Sequence, residues 1–137
     1  MPDLQNVQVG ESLSERTFEP SSVSLFLYNA AIWNPHRIHF DEIYTTQVEK
    51  HPAIVVDGPL QGDWLSQMAT EWIGDNGELV ELEYSNRRAA YLGQRLRASG
   101  EISAVERDAG LGTLTLQITS EGGYVLSPGT AVVRFTS

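Results

Sequence analysis

Two imidazoles, a carboxamide and a carboxylate fall within nine positions of this chain, in Trp33-Asn34-Pro35-His36-Arg37-Ile38-His39-Phe40-Asp41. An imidazole with an ordinary pKa of about 6.5 holds both protonation states near neutrality and so suits proton transfer. A carboxamide such as Asn34 cannot serve as a base, but it can hold a water or a hydroxyl by hydrogen bonds. A second segment, Ile54-Val55-Val56-Asp57-Gly58-Pro59-Leu60, runs a short apolar strand through Gly-Pro into an apolar helix. The start of that helix can bind an anion, because its first N–H groups have no intrahelical partner and the helix dipole favours negative charge there. Pro59 has no N–H and fixes the first turn, which leaves Gly58 and Leu60 as donors. Asp57, at the helix start, is expected to cap it. A carboxylate there could also favour a charged His39, or repel a ligand with a free carboxylate.

The elements that must position these groups follow from local chemistry and period. Val7 to Glu19 suggests an extended lead-in that adds to a sheet. Pro20-Ser21-Ser22 is a helix-start signal, and Val23, Phe26, Leu27, Ala30 and Ala31 then recur at three-four spacing, so a helix of about three turns is expected to end near Trp33 at Asn34-Pro35. Asp41 can cap a second short helix through about Val48, with Asn34 to His39 as the loop between. From Pro59 to Ile73, Leu60, Trp64, Leu65, Met68, Trp72 and Ile73 make a wide apolar face, marking the most buried helix. Asp75-Asn76-Gly77 ends it.

The period then becomes two. Val80, Leu82 and Tyr84 share one parity, as do Leu96, Ala98, Ile102 and Ala104, then Leu114, Leu116 and Ile118, and last Ala131, Val133 and Phe135. Asp108-Ala109-Gly110 and Glu121-Gly122-Gly123 read as hairpin turns, and Ser127-Pro128-Gly129 as a strand interruption or bulge. Helices followed by a run of half-buried antiparallel strands indicate α+β, with a curved sheet available to cover the long helix. At 137 residues, one domain over residues 1–137 is expected.

Composition narrows the function. A net charge of −9 opposes nucleic acid as a partner. No segment is apolar enough to span a membrane, and the N-terminus lacks signal-peptide character, so a cytoplasmic location is expected. The chain has no cysteine, which excludes disulfides, thiolate metal sites and thiol nucleophiles. His36, His39 and Asp41 would need a further ligand to hold a metal, and none is expected. Arg87, Arg88, Arg95, Arg97 and Arg107 cluster in one stretch, either as solvated strand ends and faces or as a site for a phosphorylated ligand. His51 reads as a surface loop residue, and Tyr28, Trp33, Trp64 and Trp72 as core or interface packing.

The stretches Asn34 to Asp41 and Val55 to Leu60 resemble the MaoC-like hydratases and dehydratases of the hotdog fold, nearest the branch of type 2 hydroxyacyl-thioester dehydratases and mesaconyl-CoA-type hydratases. The resemblance covers most of the chain. It implies a single hotdog domain, a curved antiparallel sheet wrapped around a central helix. The larger family reads Asp-x-Asn-Pro-hydrophobic-His, and aligning its His with His39 puts Asn34 where its Asp stands. The nearer branch pairs Asn-x-His-Arg-Ile-His with Val-Val-His-Gly-Pro-Leu, so Asn34 fits that branch while Asp57 replaces a histidine.

The resemblance further implies an enzyme that interconverts (R)-3-hydroxyacyl and trans-2-enoyl thioesters of CoA or acyl carrier protein, as in fatty-acid or polyketide metabolism. His39 would move protons, Asn34 would orient water, and the N–H groups of Gly58 or Leu60 would meet the thioester oxyanion. Gly58 would leave room for the substrate to approach. Asp57 would bear on substrate preference, Trp33 and Trp64 could line an acyl tunnel, and Arg87 and Arg88 would meet the carrier's phosphates. No cofactor is implied. A homodimer is expected, or a heterodimer with a related chain. Two rivals remain: a thioesterase using a carboxylate such as Asp57 or Asp63, and a non-catalytic partner subunit or acyl-binding module.

Overall fold

In the computed structural model, which describes residues 1–136, a single long helix, α2 (Gly58–Ile73), packs into the concave face of a five-stranded antiparallel sheet. The sheet order is β1-β5-β6-β7-β3, from β1 (Arg16–Phe18), β3 (Gly77–Tyr84), β5 (Leu96–Glu106), β6 (Leu111–Thr119) and β7 (Val125–Phe135). β2 (Val55–Val56) and β4 (Ala90–Tyr91) form a separate small ladder. The expected α+β layout, a curved sheet around a central helix, is the one observed.

The core is the apolar face of α2, from Trp64, Leu65, Met68, Ala69 and Ile73, set against Leu96, Ala98, Ile102, Leu114, Leu116, Ile118, Ala131 and Val133. The strand faces of β6 and β7 follow the expected parity. Two others do not. The β3–β7 register shifts between Leu79 and Glu81, so Val80 is displaced outward while Leu79 and Leu82 pack on the core. The β5–β6 register shifts between Ile102 and Ala104, and beyond it Val105 joins the core. One extra residue in an alternating strand exchanges its faces. β7 runs unbroken through Ser127-Pro128-Gly129, and the irregularity lies opposite Ile118/Thr119 instead. Pro128 sits just past the last β3–β7 pair, Tyr84–Gly129, where its missing N–H costs no ladder bond.

Helix α1 (Ser22–Ala31) begins with a reciprocal cap: the Ser24 N–H donates to Ser21 Oγ and the Ser21 N–H to Ser24 Oγ, at 3.1 and 2.9 Å. Its buried residues are Leu25 and Asn29, whereas Val23, Phe26 and Leu27, whose three-four spacing marks the helix, are exposed. The helix closes with the Trp33 N–H on the Ala30 carbonyl and the Asn34 N–H on that of Asn29, the Schellman pattern. The left-handed position it requires is taken by Trp33, at φ 59°, in place of the usual glycine. After the loop, Asp41 Oδ1 accepts from the Tyr44 N–H at 3.0 Å and starts a short helical segment whose turn Tyr44–Val48 is π-helical.

Candidate active site

The loop after α1 and the strand before α2 meet at a buried polar cluster. His39 ends a 3-10 turn (Arg37–His39) and is 8% exposed. Its Nδ1 lies 2.7 Å from the Val55 carbonyl, an acceptor only, so Nδ1 carries the proton. In the neutral ring Nε2 is therefore the basic nitrogen, and it faces Asp57 Oδ2 at 3.4 Å.

Asp57 occupies the N-cap position of α2, yet its side chain makes no bond to the helix N–H groups. The expected cap is absent because the carboxylate turns inward, where it is 0% exposed. Asn29 Nδ2 donates to its Oδ1 at 2.9 Å, and Asn34 Nδ2 approaches its Oδ2 at 3.4 Å. Both carboxamides are held in these orientations by other bonds. Asn34 Oδ1 accepts from the His36 N–H at 3.1 Å, and Asn29 Nδ2 also donates to the Leu25 carbonyl at 2.8 Å. Asn29 Oδ1 is left as the one buried side-chain polar atom without a partner among the described residues.

An apolar cavity of about 420 Å³ opens beside this cluster, lined by Phe26, Asn29, Ala30, Trp33, Asn34, Pro35 and Phe40. Phe26 and Trp33, exposed on the outer surface by 63% and 90%, form its wall. The volume and apolar lining, with two carboxamides in it, suit a small organic group carrying a few polar atoms. Trp64 lies elsewhere: it is buried and stacked on Phe18 at 4.3 Å.

No side chain caps the first turn of α2, so the N–H groups of Gly58 and Leu60 face no side-chain competitor. The room over Gly58 is taken by Asn86, whose carboxamide nitrogen lies 2.2 Å from where a Cβ would stand, so glycine is needed for this contact and not for an open approach. Asn86 also bonds Ser127 Oγ, which bonds Gln61 Oε1, at 2.8 and 2.7 Å. One hydroxyl has one proton, so one of these carboxamides turns its NH₂ toward Ser127.

The arginines separate. Arg95 pairs with Glu19 and Arg97 with Glu15, while Arg107 donates to the carbonyls of Leu4 and Val7. Arg87 and Arg88, following Asn86, are exposed and have no carboxylate partner among the described residues; Arg88 lies 4.4 Å over the Tyr124 ring. Asp63 accepts from the Tyr28 hydroxyl at 3.1 Å, and burial together with that carboxylate raises the phenol above its ordinary range. The Tyr44 N–H and Arg37 hold the Asp41 carboxyl below the usual carboxylate range. His36 is exposed, and His51 meets the Tyr91 hydroxyl at 3.2 Å. No group of three or more His, Cys, Asp or Glu among the described residues could hold a metal ion. Among the described residues no helix is long and apolar enough to cross a membrane.

Sequence reasoning missed Asn29, Asn86, Gln61 and Ser127. Asn29 had one local signal: it stands four positions after Leu25, off the apolar face of α1, where a buried polar residue needs a specific partner.

The sequence profile of the hydroxyacyl-thioester dehydratase type 2 family matches residues 3–92. The chain is 41% identical over 54 residues to a mesaconyl-C(4)-CoA hydratase of Chloroflexus aurantiacus, a match covering 39% of this chain and 19% of that protein. It is 27% identical over 135 residues to an (R)-specific enoyl-CoA hydratase of Aeromonas caviae, across 95% and 96% of the two chains. A solved (R)-hydratase of A. caviae superposes with a TM-score of 0.86 at 21% identity, over 96% and 98% of the chains, and establishes the hotdog fold.

Proposed function

This chain belongs to the hydroxyacyl-thioester dehydratase type 2 family, and from that membership we propose that it interconverts (R)-3-hydroxyacyl and trans-2-enoyl thioesters of CoA or acyl carrier protein. The observation that carries this reading is the His39 ring, fixed by Val55 so that Nε2 is the basic atom, beside a carboxamide that lines an apolar cavity. In the hydration direction, Nε2 takes a proton from water as the water oxygen bonds the β-carbon. The alkene electron pair moves to the thioester oxygen, and the Nε2 proton is then delivered to the α-carbon. Water is added across the double bond, and dehydration is the reverse. Asn34 holds the water or the 3-hydroxyl at the cavity end.

The enolate oxygen is met by the Gly58 and Leu60 N–H groups, where charge develops only as reaction proceeds. The acyl chain takes the apolar cavity, with Trp33 on its wall, and Arg87 and Arg88 meet the phosphates of the carrier. The functional unit is a homodimer, or a heterodimer with a related chain, with no cofactor. The setting is cytoplasmic.

The test is a panel of trans-2-enoyl-CoA thioesters. Loss of enoyl absorbance with the thioester intact supports the reading, whereas release of free thiol indicates a thioesterase and no turnover a binding module. His39→Ala is expected to lower kcat by about 10²–10⁴-fold, the ordinary contribution of a positioned acid–base group, and Asn34→Ala by less, both with the protein still folded. Unchanged rates in both variants would remove these roles.

A further inference from the structure

We infer that Asp57 supplies the carboxylate of the acid–base site, delivering from the start of α2 the charge that the loop lacks because Asn34 stands there. The inference rests on the hydratase reading and names a residue that acts through His39, a positioning residue. Three observations carry it. Asp57 is 0% exposed and caps nothing, although it occupies the cap position. Among the described residues no lysine or arginine pairs with it: its side-chain donors are Asn29 and Asn34, and His39 is its one titratable neighbour. Its two oxygens are also unequal: Oδ1 holds Asn29 at 2.9 Å, while Oδ2 is shared at 3.4 Å between His39 Nε2 and Asn34 Nδ2.

A buried carboxylate without a cation is strongly destabilising unless its surroundings compensate. Burying one beside an imidazole and two carboxamides, with no lysine or arginine, is a poor way to stabilise a fold. It is a good way to stabilise a state in which that imidazole becomes charged. When Nε2 takes the proton of water, the cation that forms lies 3.4 Å from Oδ2, where a carboxylate stabilises it. Asn29 holds the carboxylate in register through Oδ1, and the Nδ1 bond to Val55 holds the ring.

Asn34 and Asp57 face each other across 3.4 Å, which makes an exchange test possible. Asp57→Asn and the double variant Asn34→Asp/Asp57→Asn are assayed on one trans-2-enoyl-CoA with the wild type, with thermal melting measured in parallel. Asp57→Asn is expected to lower kcat by about 10²-fold with KM little changed, and the double variant to recover at least about tenfold, because a carboxylate again lies beside the ring. A purely structural role would not be rescued by moving the charge to the loop. Asp57→Asn with wild-type kcat, or a folded double variant no better than the single one, overturns the inference. If the single variant fails to fold, the double variant decides by its own kcat: turnover with the carboxylate at 34 supports the inference, and a folded protein without turnover overturns it. Absence of hydration by the wild type would instead strike the hydratase reading itself, so the two failures are distinct.

Discussion

Helices α1 and α2 both carry apolar residues at three-four spacing, but those residues have opposite destinations. On α2 they enter the core, with Leu65 and Ile73 almost fully buried. On α1 they face outward: Val23, Phe26 and Leu27 are exposed, and the buried positions belong to Leu25 and Asn29. Periodicity shows which side of a helix is apolar and does not say what covers it. The sheet covers α2 by wrapping it. The apolar side of α1 instead contributes Phe26 and Ala30 to the cavity wall, and its inner side brings a carboxamide to the Asp57 cluster. One helix is therefore a structural element and the other part of a binding site.

The largest effect that would sharpen this contrast is on α2. Leu65→Ala removes a fully buried side chain between the helix and the sheet and should lower unfolding stability by about 2–5 kcal/mol, read by denaturant melts. A loss below about 1 kcal/mol would mean that α2 is not the packed center of the fold.

Phe26→Ala on α1 should behave differently. Its side chain is mostly exposed, so stability should change by no more than about 0.5 kcal/mol. The cavity wall is lost, however, and KM for an enoyl-CoA with an apolar chain should rise by about tenfold, while the shortest enoyl-CoA is little affected. Equal changes for short and long chains would detach the cavity from acyl binding.

What could be read from residues alone divides along similar lines. β6 and β7 were legible because Leu114, Leu116 and Ile118, and Ala131, Val133 and Phe135, alternate without interruption on the core side. β5 was legible up to its bulge and β3 only beyond its own, where Leu82 faces the core, since neither Val80 nor Ser103 is a residue type that marks one. In the site, His39 and Asn34 were legible because their motif is contiguous. Asp57 was legible as a residue and misread as a cap, because capping is decided by near neighbours. The partners that turn it inward, Asn29 and Asn34, lie 28 and 23 positions away. Nothing local could rank those long-range bonds against the helix N–H groups two or three residues along.

The smallest expected effect concerns Arg87 and Arg88, which lie outside both helices. They are the arginines of their stretch whose guanidinium groups have neither a carboxylate nor a carbonyl partner among the described residues, and they follow Asn86, which packs on Gly58 at the start of α2. A phosphate-bearing carrier entering near that helix start would meet them, but at a solvated surface each charge contributes at most about 1 kcal/mol and salt reduces it. Arg87→Ala with Arg88→Ala should therefore raise KM for an enoyl-CoA several-fold at low ionic strength and progressively less as salt is added. An enoyl thioester of a short thiol without phosphates should show no such change at any salt. Arg88 also stacks on Tyr124, so Arg87→Ala alone separates charge from packing. A salt-independent loss confined to variants that include Arg88 would assign the effect to that stacking and remove the phosphate contact.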